Sequence, residues 1–295
     1  MGVLSAAEIE RFERFGFIKL DQVLDPAVIA RCADRFWTRV GYDRHDPSTW
    51  REARMHLPVH EDFAVRDVAP RAYHAMLELC GGAERVAGDP QWGDAFIANL
   101  GVRADQPWVP PSPAAGGWHK DGDFFRHFLD SPEQGLLTIV LWSDVVERGG
   151  ATFLACDSVA PVARHLAAHP EGVHPDDLPF KRFIAECTDF REATGRAGDV
   201  YLLHPYILHA TSGNVLRRPR LITNPPITLR EPMRFDRVDG QHSPVERAIL
   251  RALGVERLAF RPAAQRQRIV PERVLHEQRL RREELARLAR KQHTS

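Results

Sequence analysis

Hydrophobic residues recur at helical spacing near the start of the chain. Ser5 and Glu8 have the spacing of a capping box, and Ile9, Phe12 and Phe15 follow as one apolar stripe. This pattern predicts a short amphipathic helix, and the Asp-Pro pair further on is typical of a second helix start. The predicted elements are a helix over residues 6–14 that ends at Gly16, a strand over 17–20, and a helix over about 26–40.

From residue 94 onward the pattern changes to short apolar runs. These runs are rich in β-branched and aromatic residues and are separated by Gly, Pro and Asp, which is typical of a β-sandwich or barrel. We therefore predict a mainly β core over about 94–228, a helical N-terminal part over 1–93 and a helical C-terminal extension over 241–295. The strand candidates are 94–102, 136–146, 151–154, 198–203, 207–212 and 219–228.

Two stretches lack a regular pattern and are predicted to be loops. Residues 41–66 are polar with several aromatic residues and histidines, and loops of this length often help to form a binding site. Residues 103–117 are rich in Pro, Ala and Gly, which favours a loop that delivers Trp118 and His119 to the edge of a strand. Between these stretches, residues 69–80 are predicted to be helical.

The end of the chain is rich in arginine, most of all over residues 279–291. Glu283 and Glu284 are interleaved with the arginines at spacings that pair on a helix, and three leucines fall on one side. This pattern favours a solvated or packing helix over an arm that binds nucleic acid. Because an amphipathic helix can pack within one chain or between two, a homodimer through this helix stays open.

Composition indicates a globular protein with one large domain. Of the 295 residues, 43% are hydrophobic and 27% are charged, and Lys plus Arg (40) balance Asp plus Glu (40). The balance removes the electrostatic case for a nucleic-acid partner. No apolar run approaches the roughly 20 residues of a membrane span. The chain start lacks the basic and apolar stretches of a secretory signal, so a cytoplasmic location is expected.

The cysteines are expected to carry no chemistry. Cys32, Cys80, Cys156 and Cys187 are far apart and form no C-x-x-C pair for zinc or redox work. We therefore predict reduced and mostly buried thiols.

His119 and Asp121 are candidate metal ligands. Residues two apart in an extended chain point to the same face, so the imidazole and the carboxylate can reach one ion. Two histidines and one carboxylate leave open positions for a chelating cosubstrate and O2, which suits non-haem iron(II). His209 is a candidate third ligand because it lies in a strand-like segment of the β-rich core, and His204 is its rival.

An arginine-rich segment follows His209. If His209 and Arg220 lie on adjacent antiparallel strands joined by the intervening turn, they are roughly opposite each other. A guanidinium near the metal can bind the distal carboxylate of 2-oxoglutarate through two hydrogen bonds. Arg217 and Arg218 fit surface positions better than Arg220 does.

Four blocks of sequence carry a family resemblance. They are LSAAEIERFERFGFIKLDQVLDPAVI, GGWHKDGD, IVLWSDVVERGGATFL and GDVYLLHPYILHATSGNVLRRPR. In this order, over most of residues 5–228, the chain resembles the phytanoyl-CoA dioxygenase family of iron(II)- and 2-oxoglutarate-dependent oxygenases. The resemblance implies a double-stranded β-helix, or jelly roll, with helical additions.

The resemblance also implies roles for single residues. It favours His209 over His204 as the third ligand, so that His119, Asp121 and His209 hold iron(II). It implies that Arg220 binds a carboxylate of 2-oxoglutarate and that O2 takes the remaining open position. The further pocket residues that it suggests are Thr211, Trp142 and Asn99.

Two features bear on the reaction type. Where the family usually has Pro-Gly-Ser-His, residues 155–158 read Ala-Cys-Asp-Ser, so a substrate contact from that histidine is not expected here. Halogenating relatives replace the carboxylate ligand with a small residue, whereas Asp121 is retained. Hydroxylation or another oxidation is therefore favoured over halogenation.

The sequence thus predicts a dioxygenase that oxidises a small organic molecule and releases succinate and CO2. No feature identifies the substrate. A cupin-like metal-dependent isomerase or hydrolase, and a non-catalytic binding protein with a vestigial site, stay open as alternatives. The candidate substrate contacts are Asp123, Arg126, His127, Arg54 and His56, and the candidate apolar wall is Trp118, Phe124 and Phe125.

Overall fold

The structure is a computed structural model that describes residues 2–102 and 107–292. Helix α1 confirms the predicted capping box, because Ser5 and Glu8 each accept a hydrogen bond from the other's N–H. The helix ends at Gly16, whose φ of 71° lies in the left-handed region that glycine adopts without strain. The helices are α1 (Ala6–Phe15), α2 (Pro26–Val40), α3 (Val65–Val68), α4 (Pro70–Cys80), α5 (Val159–Ala167), α6 (Phe180–Ala185), α7 (Pro244–Leu253) and α8 (Glu272–Gln292), with 3-10 turns at Pro47–Thr49, Ala83–Arg85 and Pro175–Asp177.

Antiparallel strands form the centre of the molecule. The strands are β1 (Phe17–Leu20), β2 (Arg54–His56), β3 (Asp62–Ala64), β4 (Gln91–Gly93), β5 (Ile97–Asn99), β6 (Leu136–Leu141), β7 (Thr152–Ala155), β8 (Phe190–Ala193), β9 (Val200–Leu203), β10 (Leu208–Thr211), β11 (Arg220–Thr223) and β12 (Pro226–Ile227). The large sheet has seven strands in the order β1-β9-β6-β11-β5-β2, with β12 also paired to β6. The small sheet has the order β10-β7-β8, and β3 pairs with β4 alone.

Alternate residues of β6 show how the layers pack. Leu137 and Ile139 belong to a buried cluster that also contains Leu154 of the small sheet. The intervening Leu136 and Val140 belong to a second cluster, which includes side chains of α1, α2, α4 and α7. One face of the large sheet therefore packs on the small sheet and the other on helices. The predicted fold class, a mainly β jelly roll with helical additions, is confirmed.

Strand β1 has the bounds predicted for it, 17–20, and by pairing with β9 it extends the large sheet. Other elements differ from the prediction. The predicted loop over 41–66 contains β2 and β3, which are three-residue strands without the apolar alternation that marks a half-buried strand. Helices α5 and α6 and strand β8 were not predicted between the strands of the core. Residues 103–106 of the predicted loop over 103–117 lie outside the described residues.

The turn over residues 155–158 leads from β7 of the small sheet into α5. The Ser158 hydroxyl donates to the carbonyl of Ala155 at 2.6 Å and accepts from the N–H of Leu208 at 2.7 Å. These four residues stand where the phytanoyl-CoA dioxygenase family, which the sequence resembles, usually has Pro-Gly-Ser-His. The hydrogen bond from the N–H of Leu208 fixes the start of β10, the strand that carries His209.

All four cysteines are buried free thiols, as predicted. Burial raises the pKa of Cys80 to about 12, so this side chain stays protonated at neutral pH. Among the helices in the described part of the chain, none is long and apolar enough to cross a membrane.

Candidate metal and cosubstrate site

Backbone pairing brings two predicted ligands together. His119 and His209 form an antiparallel bridge in which each N–H donates to the other's carbonyl, at 3.0 and 2.9 Å. Oδ1 of Asp121 lies 3.6 Å from Nε2 of His119 and 3.4 Å from Nε2 of His209. The three ligand atoms all lie within 4.8 Å of one another. One metal ion can therefore bind all three side chains.

Backbone carbonyls fix the protonation of both imidazoles. Nδ1 of His119 lies 2.8 Å from the carbonyl of Gly117, and Nδ1 of His209 lies 3.3 Å from that of Ile207. Because a carbonyl can only accept, each Nδ1 carries the proton and donates. Each Nε2 then lies on the side of Asp121 and, when it is deprotonated, presents the lone pair with which histidine binds metals.

Asp121 is held as a carboxylate. Asn224 donates to its Oδ2 at 2.9 Å, which leaves Oδ1 toward the two imidazoles. Burial raises the pKa of Asp121, but His209 and His119 outweigh burial and keep that pKa well below its usual range. Burial likewise lowers the pKa of His119, but the Asp121 carboxylate outweighs it and raises the pKa. Two nitrogen donors and one charged oxygen form the donor set that suits iron(II).

His204, the rival ligand, lies elsewhere. Its ring is fully buried, Nδ1 accepts from the N–H of Tyr206 at 3.1 Å, and Nε2 lies 3.3 Å from the carbonyl of Val245. Burial lowers the pKa of His204 to about 3. The structure therefore brings His209, and not His204, to the other two candidate ligands.

Arg220 is a buried cation that has no acidic partner among the residues that the structure describes. Its side chain donates to the carbonyl of Ile97 at 3.3 Å and to the hydroxyl of Thr152 at 3.1 Å. Its Nε is buried with no hydrogen-bond partner. Burial and the nearby charge of Arg54 lower the pKa of Arg220 to about 10, so the guanidinium is still charged at neutral pH. A buried charge of this kind is costly unless a ligand supplies the opposite charge.

The three candidate ligands and Arg220 line one cavity of about 640 Å³. Cavities of roughly 300 to 1,000 Å³ are the usual size for small-molecule sites. Apolar side chains from the large sheet and from the loops form much of its wall. These are Leu57, Phe96, Ile97, Phe124, Leu137, Ile139 and Ile222.

The prediction that His209 and Arg220 lie on adjacent strands of one hairpin is wrong. His209 is on β10, which pairs with β7 in the small sheet. Arg220 is on β11, which pairs with β5 and β6 in the large sheet. The segment between them crosses from one sheet to the other, because each strand finds its partners in a different layer. The two side chains therefore approach the cavity from opposite sheets, with space for a ligand between them.

The three further pocket residues have different positions. Thr211 lines the cavity. Trp142 is buried and its Nε1 donates to the hydroxyl of Thr223 at 3.0 Å, whereas Oδ1 of Asn99 accepts from the N–H of Gly101 at 3.1 Å. Neither Trp142 nor Asn99 belongs to the cavity lining. Cosubstrate roles for these three residues stay predictions.

The candidate substrate contacts also separate into two groups. Asp123, His56 and Phe124 line the cavity. Arg126 donates to a backbone carbonyl in the loop after α5 at 2.8 Å, and Arg54 donates to one just after β10 at 3.1 Å. The remaining candidates, which are His127, Trp118 and Phe125, are buried in contacts with neighbouring side chains.

Several cavity residues were not predicted, among them Asn224, Gln134 and Arg273. Asn224 could have been found from the sequence, because Arg220, Ile222 and Asn224 alternate along one strand and its continuation and all line the cavity. Gln134 is 2% exposed, and its Oε1 is buried without a hydrogen-bond partner. Arg273 comes from α8, and no local pattern connects this helix to the metal motif.

No protein-family model matches the chain. A curated relative is the L-proline trans-4-hydroxylase of Streptomyces griseoviridis, which is 27% identical over 162 residues. The matched residues are 49% of this chain and 57% of that protein. The chain therefore spans little more than half the length of the curated relative that it matches.

Solved structures with a similar fold include AviO1 from Streptomyces viridochromogenes Tue57, with a TM-score of 0.45, 19% identity and coverage of 77% of this chain and 96% of that one. EctD from S. alaskensis with bound Fe has a TM-score of 0.44, 17% identity and coverage of 75% of each chain. The non-heme alpha ketoglutarate dependent epimerase SnoN from nogalamycin biosynthesis has a TM-score of 0.41, 17% identity and coverage of 74% and 79%. Each is a protein to which this chain is similar.

Proposed function

We propose that this chain is a non-haem iron(II)- and 2-oxoglutarate-dependent dioxygenase that oxidises a small organic molecule. The main support is that a cluster of two histidines and one carboxylate lines the same cavity as a buried arginine, which has no acidic partner in the described part of the chain. The cluster alone fits several kinds of metal enzyme. Arg220 narrows the choice, because it calls for an anionic ligand within reach of the metal.

A dicarboxylate fits the positions of the charged groups. His119, Asp121 and His209 would hold iron(II) and leave room on the ion for the cosubstrate and O2. Arg220 would bind the distal carboxylate of 2-oxoglutarate through charge-assisted hydrogen bonds, which would also give its Nε a partner. When bound, iron and 2-oxoglutarate supply the chemistry in which O2 is reduced, 2-oxoglutarate becomes succinate and CO2, and the substrate is oxidised by two electrons.

The side chains of the cavity would orient the reactants and exclude water. The carbonyls of Gly117 and Ile207 hold the two imidazole rings, and Asn224 holds the free oxygen of Asp121. The apolar wall keeps water from the reacting atoms. The protein therefore contributes binding and orientation, while the cofactor carries the oxidation.

The substrate is proposed to be a small organic molecule. The cavity volume of about 640 Å³ supports this size class, and the curated relative is named for a reaction of L-proline. Finer assignments stay predictions: membership of the phytanoyl-CoA dioxygenase family, a cytoplasmic location, and a homodimer through α8. The same holds for cosubstrate contacts by Thr211, Trp142 and Asn99.

Anaerobic titration of the iron(II)-loaded protein with 2-oxoglutarate tests the proposal. We expect a weak visible charge-transfer band that saturates at one 2-oxoglutarate per iron, and no band in Asp121→Ala. Absence of the band from the wild-type protein at saturating 2-oxoglutarate, with iron still bound, would falsify the proposal. The metal would then serve a reaction that does not use this cosubstrate.

A further inference from the structure

The segment before α8 pairs with the backbone beside the metal motif. The N–H of Arg126 donates to the carbonyl of Gln267 at 2.9 Å, and the N–H of Ile269 donates to the carbonyl of Phe124 at 2.8 Å. Phe125 thus forms an antiparallel bridge with Arg268. We use the name C-terminal arm for residues 267–292. The start of the arm pairs with residues 124–126, which follow Asp121 closely in the sequence.

The first turn of α8 then contributes a side chain to the cavity. Arg273 lines the cavity together with Asp123. Its Nε donates to Oδ2 of Asp123 at 2.5 Å and its Nη2 donates to Oδ1 at 2.7 Å, so the pair is bidentate. The two side chains are 49% and 44% exposed, which places the pair at the outer side of the cavity.

A buried ion pair anchors the far end of the C-terminal arm. Glu284 accepts from Nε of Arg39 at 2.8 Å and from Nη2 of Arg39 at 3.2 Å. Nε2 of His60 lies 3.4 Å from the same carboxylate, and Arg287 donates to the carbonyl of Arg39. Arg39 is 2% exposed and Glu284 is 9% exposed, so this anchor is shielded from solvent. The arm is therefore held at both ends, with Arg273 between them.

We propose that Arg273 is a specificity-determining residue that closes the outer side of the substrate cavity through its pair with Asp123. A half-exposed pair is weak, so it can open while the bridge and the buried anchor keep the arm in place. Small molecules then enter the cavity past the pair or by displacing it, whereas large molecules cannot enter. This inference rests on the proposed function, because it takes the cavity as the place where the substrate of the oxygenase binds.

Removal of iron(II) by two chelators of different size tests the proposal without a known substrate. The probes are 2,2′-bipyridine, which is small and neutral, and ferrozine, which is larger and carries sulfonates. Under anaerobic conditions, without 2-oxoglutarate, we expect Arg273→Gln to raise the rate of removal by ferrozine about fivefold, the size of a half-exposed ion pair. The rate with bipyridine should change less than twofold.

Three further variants test whether the effect is specific to Arg273. Arg273→Lys should keep the wild-type ratio of the two rates, because it keeps the charge that faces Asp123. Arg282→Gln, at an exposed position of the same helix, should change neither rate. Glu284→Gln, which breaks the buried anchor, should raise both rates at least about tenfold as the arm detaches.

Two results would overturn the role of Arg273. One is an equal ferrozine rate in wild type and Arg273→Gln, even if Glu284→Gln is faster, because the arm would then cover the cavity without selection by this residue. The other is the same acceleration in Arg282→Gln, which would indicate a general effect of changes in this helix and not of the pair with Asp123. Titration of each variant with 2-oxoglutarate separates the two proposals: a missing band in the wild type refutes the cosubstrate, whereas the chelator rates are measured without it.

Discussion

Histidine and arginine residues are buried on both sides of the large sheet, but the partners of their polar atoms differ between the two sides. On the helical side, His204 uses both ring nitrogens in backbone contacts, and buried Arg39 is paired with Glu284 and Asp94. On the cavity side, His209 uses only Nδ1 in this way, and Arg220, equally buried, has no acidic partner among the described residues. On the helical side, His204 and Arg39 thus find their partners within the protein itself. Residues on the cavity side leave an atom for a ligand.

This contrast separates stability from binding. A buried polar group whose partners are all in the protein is expected to contribute to folding and to lose stability when it is replaced. A buried group that keeps one atom unpaired makes folding less favourable and repays the cost only when a ligand is bound. Substitutions on the helical side should therefore change the stability of the fold, and substitutions on the cavity side should change ligand binding.

The largest effect is expected for the two histidines. His209→Ala removes one of the three proposed metal ligands and should weaken iron(II) binding about 1,000-fold, as expected for the share of one ligand in a typical metal-binding free energy. Metal affinity is measured by anaerobic competition with a chelator, and thermal unfolding of the apo protein is the control. His204→Ala should do the reverse, with a lower melting temperature and metal affinity within about threefold of wild type. Equal loss of affinity in both variants would remove the distinction.

The second-largest effects are expected for the two buried arginines, Arg220 and Arg39. Arg220→Met is expected to weaken 2-oxoglutarate binding roughly 100-fold while iron(II) affinity is retained, because the lost contact is to the carboxylate far from the metal. The charge-transfer titration measures this. Arg39→Met should leave 2-oxoglutarate affinity unchanged and lower the free energy of unfolding by about 3 kcal/mol, since Glu284 and Asp94 lose their partner. A stability loss in Arg220→Met as large as that in Arg39→Met would contradict the contrast.

His204 should also make stability depend on pH. Its pKa is about 3 in the folded protein and about 6.5 when unfolded, so the unfolded chain binds more protons between these values and stability falls as pH falls. The contribution lost between pH 7 and pH 5 is about 2 kcal/mol. Urea unfolding of the wild type should therefore lose about 2 kcal/mol more over this interval than His204→Asn, whose amide oxygen can still accept from the N–H of Tyr206. Parallel losses in the two proteins would show that another group sets the acid sensitivity.

The smallest effect is expected for Asn224, which acts on the metal only through Asp121. Asn224→Ala should weaken iron(II) binding about tenfold, the lower end of the usual range for a residue that supports a ligand. Asn224→Asp places a second carboxylate against Asp121 and should weaken binding further. Chelator competition measures both, with 2-oxoglutarate affinity per bound iron as the control. No change in Asn224→Ala would mean that the three ligands hold their orientation without this amide.

The sequence predicted the parts of the site that depend on local spacing. His119 and Asp121 share a face because they are two residues apart in an extended chain, and the fold class followed from short apolar runs separated by turns. Periodicity could not decide between His204 and His209 as the third candidate ligand, since the answer depends on which backbone groups surround each ring. It needed the family resemblance, and the bridge to His119 supplies the physical reason.

Features that depend on distant pairing were missed. The sequence placed His209 and Arg220 on one hairpin, because a turn between two apolar runs usually makes one, whereas here the chain changes sheets. Arg273 could not be assigned, since its place in the cavity depends on the anchor between Arg39 and Glu284, which are far apart in the chain. Charge patterning predicted a packing helix but could not show what the helix packs on.

The bridge between His119 and His209 also constrains the order of events in folding. The two residues are distant in sequence, and they meet only when their strands exchange backbone hydrogen bonds. Closing so long a segment is slow compared with forming helices. While the ribosome has not yet added His209, the three proposed ligands cannot come together. The candidate metal site is therefore completed only after β10 has formed.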